Sequence, residues 1–214
     1  MTTRFNKKHL IIVCSLTFLA ILVGLFVWLR LIVKVGSPKE GETITFSTTT
    51  PDETPVDKQA YEWVGLAKYP KYINLPTINT EGFIQKVGVD QNKQIAVPNN
   101  THLAGWFSDS SLPGQSGLSI IDGHVTGRLN DGIFKDLTKI KVDDTFKIEF
   151  GDGSVKTFRV IDTQTINTEA AASVLFSQKP KINSQLNLVT CTGDFDTKSQ
   201  LYNKRLIVLS IPVD

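Results

Sequence analysis

The chain has 214 residues, 41% of them apolar and 21% charged; this balance excludes wholesale disorder, collagen-like sequence and a disulfide-dense miniprotein. The net charge of +2 hides a split: residues 1–34 hold Arg4, Lys7, Lys8, Arg30 and Lys34 and no acid, leaving 18 basic against 21 acidic residues in 35–214. A net-acidic globular part lacks the basic footprint of a nucleic-acid-binding domain, so no nucleic acid is expected as a partner.

From Leu10 to Leu29 twenty consecutive residues carry no charge (LIIVCSLTFLAILVGLFVWL). As a helix they span roughly 30 Å, the thickness of a bilayer's hydrocarbon core. The run is longer than the apolar region of a cleaved signal peptide, and it passes into Trp28 and Arg30 with no small-x-small cleavage site. A retained transmembrane signal anchor is therefore predicted over 10–33, behind a cytoplasmic N-terminus at 1–9. Arg4, Lys7 and Lys8 precede the span and Arg30 and Lys34 follow it, a bias that puts the N-terminus inside and the rest of the chain outside. Of the two cysteines, Cys14 lies in the span and Cys191 is alone in the outer part, so no intradomain disulfide is expected. A lone thiol in an oxidising compartment is more often kept for chemistry than for packing.

Residues 34–69 are expected to form a stalk or linker. Within it, 35–57 is rich in Ser, Thr, Pro and acids and has too few large apolar residues to offset the entropy of ordering. Residues 58–69 have the pattern of a short amphipathic helix, with Ala60, Val64 and Ala67 on one face, although Gly65 weakens it. From Pro70 onward short β-branched runs alternate with turn residues: KYINL, GFIQKVGV, QIAVP, GLSIID, DTFKIEF, VKTFRVIDTQTI, LNLVTCT and RLIVLSIPV. In TFKIEF and VKTFRVI the period is two, as in half-buried strands, and Gly151-Asp152-Gly153-Ser154 between them has the composition of a hairpin turn. Two short helical pieces are expected, in GIFKDLTKI and TEAAASVLFS. The fold class is all-β: a closed eight-stranded barrel over 70–214, because closure removes exposed sheet edges.

Three residues stand out as carriers of chemistry: His124 after GLSIID, Cys191 at the end of LNLVT, just before a backbone turn expected at Thr192-Gly193, and Arg205 at the start of RLIVL. Singly, each has an ordinary structural reading, as a hydrogen-bonded strand-end histidine, a small buried thiol and an edge-strand charge. Their order is more specific. His124, a β-rich stretch, Thr190-Cys191-Thr192-Gly193 and then Arg205, all behind one membrane span, resemble the sortases, the cysteine transpeptidases of the cell envelope. The resemblance covers about 70–214, includes AGWF, LPGQSG, GHVTG, GIFKDL, GDGSVKTFRV and LVTCTGDFD, and is nearest to class F, with class E next. One departure is Asn187, where the family often has Thr before Leu-x-Thr-Cys.

The resemblance implies a sortase-type eight-stranded barrel with Cys191 as nucleophile, His124 as acid/base and Arg205 over the scissile carbonyl. It implies cleavage of an LPxTG-like sorting motif in secreted proteins and transfer of the new carboxyl to an amine of peptidoglycan or a pilin. The chemistry is coherent on its own terms. A thiolate attacks an amide carbonyl, an imidazolium protonates the leaving amine, and a guanidinium stabilises the oxyanion. Papain-like enzymes put Cys before His, and L,D-transpeptidases carry His-Gly just before the nucleophile; neither pattern occurs here. A stalked, non-catalytic envelope-binding module and a sortase-like thiol hydrolase are the alternatives.

Substrate contacts are expected from Thr190, Leu188 and Trp106, the last beside Phe107. Asp122, two residues before His124, lies on the same side of an extended strand and is a candidate to orient the imidazole. His102 reads as structural. Asp194 and Asp196 lack a third ligand and make a weak calcium signal. No phosphate loop or zinc spacing is present, and neither a cofactor nor a metal is expected.

Overall fold

The structure is a computed structural model that describes residues 50–90, 94–199 and 201–213. The predicted N-terminus and membrane span (1–33) and the stalk up to 49 lie outside the described residues. Eight strands close into one barrel in the order β1-β2-β3-β4-β7-β8-β6-β5. They are β1 (Pro70–Leu75), β2 (Thr80–Val87), β3 (Ala104–Phe107), β4 (Gly117–Gly123), β5 (Thr145–Phe150), β6 (Val155–Asn167), β7 (Ser184–Asp196) and β8 (Leu201–Pro212). Pairing of β1 with β5 closes the ring, and two neighbour pairs, β2 with β3 and β4 with β7, are parallel.

Period-two patterning explains the strands. In β5, TFKIEF, Phe146, Ile148 and Phe150 are buried while Thr145 and Lys147 are exposed. Phe146 stacks on Phe158 of β6 at a centroid distance of 5.5 Å, in register across the hairpin. The turn between these strands is the expected one, with Gly153 at φ 81° and Asp152 accepting from the Ser154 N–H at 2.9 Å.

Buried side chains form two clusters. One fills the barrel and includes Ile73, Trp106, Phe134, Phe146, Phe158, Leu186, Leu188 and Val208. The other joins outward residues of β4, β7 and β8, namely Ile120, Val189, Ile207 and Leu209, to Leu175 of the short helix α1 (Thr168–Leu175). Asn187 ties α1 to the sheet: its Nδ2 donates to Leu175 O at 2.9 Å and its Oδ1 accepts from Gln185 Nε2 at 2.8 Å. The asparagine thus binds the open carbonyl end of the helix.

Four local expectations are corrected. QIAVP (94–98) is not a barrel strand; it makes only an isolated bridge between Val89 and Ile95, and β3 is instead the four-residue AGWF. Residues 58–69 form no helix, only turns at 58–60 and 67–68, because the aromatic residues dock instead: Trp63 Nε1 donates to Ile84 O at 2.8 Å, Tyr61 packs on Phe83, and Val64 is left exposed. GIFKDLTKI gives only a 3-10 turn at Leu137–Lys139. Finally, the backbone does not turn at Thr192-Gly193. A bulge with Gly193 at φ 85° lets β7 run on to Asp196 against β8.

The stacked pair gives the first prediction. Phe158 is fully buried, so Phe158→Ala is expected to cost about 3–5 kcal/mol through lost transfer energy and a residual cavity. Chemical denaturation reads this directly; a change under about 1 kcal/mol contradicts the packing described.

Candidate active site

Strand register brings the three chemistry-bearing residues together. Cys191 on β7 pairs directly with Arg205 on β8. On the other side, β7 runs parallel to β4 with Asp122 opposite Val189. His124 follows Gly123, the last residue of β4. Thr190 secures the junction: its Oγ1 donates to Gly123 O at 2.7 Å. His124, Cys191 and Arg205 all line one cleft of about 560 Å³.

Each polar group is held by a named contact. The His124 ring donates from Nε2 to the Pro98 carbonyl at 3.3 Å, which selects the Nε2-protonated tautomer. Arg205 is buried, and its Nη1 donates to Thr168 Oγ1 (3.1 Å), Tyr202 O (3.1 Å) and Lys204 O (3.0 Å). Thr168 opens α1 and itself donates to Tyr202 O at 2.9 Å, so the helix start and the β8 backbone together anchor the guanidinium. Asp122 is buried with no partner for its Oδ1 among the described residues, in space that Gly105 leaves by lacking a side chain. It makes no hydrogen bond to His124, whose ring is held by Pro98 instead.

The electrostatics run against easy ionisation. Burial pushes the Cys191 thiol above its ordinary value of 9.0; the Arg205 charge pulls it down and Asp122 pushes it up. Burial also lowers His124 below 6.5, against a smaller opposing effect of the Pro98 hydrogen bond. Asp122, desolvated, stays protonated well above the usual carboxylate range. The resting pair at neutral pH is therefore thiol and neutral imidazole, with the thiolate–imidazolium form a minor species.

Not every residue expected at the site is there. Thr190 lines the cleft. Leu188 faces the barrel interior, on the opposite side of β7 from Cys191, and Trp106 is buried in the same interior with its indole N–H donating to Ser111 O at 3.1 Å. Neither is among the cleft-lining residues. His102 contacts Glu53 O at 3.3 Å, a structural role. Asp194 bonds Asn203, and Asp196 bonds the Lys198 N–H and Ser199; no cluster of three metal-binding side chains occurs among the described residues. The cleft walls come largely from residues that sequence reading passed over: Thr50, Pro51, Val97, Val125, Phe195, Leu201 and Tyr202. Phe195 and Leu201, apolar and flanking a polar turn, were the available signal.

Residues 73–213 match the family model for the sortase domain. The chain belongs to the sortase family. Its sortase fold is similar to that of sortase A from Corynebacterium diphtheriae, with 24% identity over 68% of this chain and 61% of that one and a TM-score of 0.51. It is also similar to sortase C-1 from Actinomyces oris, with 24% identity over 67% and 73% of the two chains and a TM-score of 0.50. For sortase C of Streptococcus pneumoniae the identity is 21% over 70% and 71%, with a TM-score of 0.51. No curated protein sequence matches the chain.

The lowered imidazole and raised thiol of this sortase predict a bell-shaped rate profile, with the acid limb below 6.5 and the alkaline limb above 9.0. Arg205→Gln removes the charge that favours the thiolate, so the thiol titration should move up. The pH dependence of Cys191 alkylation measures it; an unmoved midpoint contradicts the coupling.

Proposed function

We propose that this sortase is a membrane-anchored cysteine transpeptidase of class F type, with class E next, acting on LPxTG-like motifs of secreted proteins. The observation that carries the reading is the register pairing of Cys191 with Arg205 at a cleft that His124 also lines. The class rests on GHVTG and LVTCTGDFD, and anchoring through 10–33 with the barrel outside rests on hydropathy and flanking charge.

The minor thiolate form of Cys191 attacks the carbonyl carbon of the motif's scissile peptide bond. Arg205 stabilises the oxyanion, its guanidinium held in place by Thr168 and two carbonyls. Collapse breaks the C–N bond as the His124 imidazolium gives its proton to the departing amine, leaving a thioester on Cys191 and a neutral imidazole. An envelope amine then attacks the thioester. His124 takes up the amine's proton, a new amide forms, and the thiolate leaves. Apolar walls from Val97, Val189, Phe195 and Leu201 suit the motif's leucine and proline.

The full chain in detergent, given an LPxTG peptide and a small panel of amines, is expected to yield ligated product. Arg205→Lys keeps the charge but loses the planar fork of donors. Its kcat should fall about 10²–10³-fold, equivalent to about 2.7–4 kcal/mol, with KM little changed. Near-normal kcat would remove Arg205 from the mechanism; cleavage without ligation for every amine would favour a thiol hydrolase.

A further inference from the structure

The segment expected to be stalk is, from residue 50, bonded to the barrel at the two loops that flank His124. The first attachment is to the β2–β3 loop. Asp52 donates its N–H to Asn99 O at 2.7 Å and accepts from the Thr101 N–H at 2.8 Å, a parallel bridge across Asn100. Asn100 Nδ2 adds a bond to Thr54 O at 2.9 Å. This is the loop whose Pro98 carbonyl holds the His124 ring.

The second attachment is the side chain of Glu53, which reaches the β4–β5 loop immediately after His124. Its Oε1 accepts the Arg128 N–H, and its Oε2 accepts the N–H groups of Leu129 and Asn130 at 2.8 and 2.9 Å. Three successive backbone donors converging on one carboxylate form an anion nest with charge-assisted bonds. Burial pushes the Glu53 carboxyl up, but these N–H bonds and the Arg128 charge bring it below its ordinary value, so it is ionised at neutral pH.

Two glycines fit the loop to this clamp. A Cβ on Gly127 would lie 2.5 Å from Glu53 Cδ, so only glycine admits the carboxylate there. A Cβ on Gly132 would collide with the His124 carbonyl, which accepts the Phe134 N–H at 2.9 Å. The loop is thus folded back onto His124 at its base and gripped by Glu53 at its tip. Thr50 and Pro51, just before the clamp, form part of the cleft wall.

We propose that Glu53 is a positioning residue: fixed to one loop by its own backbone neighbours, it grips the other so that the His124 imidazole keeps its station beside Cys191. This rests on the transpeptidase reading above, in which His124 moves the proton. Misplacing a proton donor by about 1 Å costs on the order of 10²-fold in rate. A purely structural cap would instead alter stability and leave the chemical step alone.

The test uses the full chain in detergent, wild type against Glu53→Ala and Glu53→Gln, with three readouts: amide exchange at 128–130, single-turnover acylation of Cys191 by an LPxTG peptide, and alkylation of Cys191 by iodoacetamide, which needs no proton donor. Glu53→Ala should lose exchange protection at 128–130 and acylate about 10- to 100-fold more slowly, with alkylation within twofold of wild type. Glu53→Gln keeps one good acceptor and should fall between the two. Lost protection with unchanged acylation in both variants overturns the positioning role, and retained protection in Glu53→Ala overturns the clamp itself. Equal losses of acylation and alkylation also overturn it, since the effect would then lie at the thiol. Wild-type protein that does not acylate at all overturns the transpeptidase reading, and this one with it.

Discussion

The parallel pairing of β4 with β7 is the constraint on which the site depends. β7 is shared: it takes β4 on one side and β8 on the other, and its period of two sends Leu186 and Leu188 into the barrel while Asn187, Val189 and Cys191 face outward. A one-residue slip in either pairing would turn the nucleophile inward or move Arg205 away from it. The slip is resisted on both faces, inside by the packed barrel and outside by Asn187 and the apolar cluster under α1. Thr190, bonded to Gly123, pins β7 to the end of β4 at the point where His124 leaves the sheet.

Packing that fixes the geometry also desolvates the reactive groups. A buried thiol resists losing its proton and a buried imidazole resists gaining one, so the rigid site holds its reactive form as a minority population. Arg205 is the counterweight built into the same register. Its charge favours the thiolate, and its anchoring by Thr168 and backbone carbonyls keeps it from following solvent. Asp122 acts in the other sense, and its largely protonated state limits that effect near neutral pH. The intrinsic nucleophilicity of sulfur makes such a small active fraction sufficient.

Much of this was legible in the sequence, and the failures have physical causes. β5 and β6 announced themselves by alternation and a glycine turn, and the order of His124, Cys191 and Arg205 carried the family. QIAVP stood in for AGWF because β-branched content marks a run as extended without saying whether it pairs, and AGWF is only four residues long, too short to show a period of two. The 58–69 helix failed because pattern weighs Ala60, Val64 and Ala67 but not the larger gain from docking Tyr61 and Trp63. Leu188 and Trp106 were drawn into the substrate list by proximity in sequence and by size, whereas strand parity sends Leu188 inward and the indole is satisfied within the core. The docking of 50–57 was hidden for a different reason. Its composition has few apolar residues, and it is held by backbone hydrogen bonds and one carboxylate, which hydropathy does not register.

The central claim is that Cys191 attacks a carbonyl and carries the acyl group. Intact-mass analysis of the full chain with an LPxTG peptide and no added amine, followed by proteolytic mapping, tests it most directly. The account predicts an adduct equal to the motif fragment up to its cleaved bond, located on Cys191 and released by hydroxylamine. An adduct elsewhere, or peptide cleavage that persists undiminished in Cys191→Ala, would contradict it.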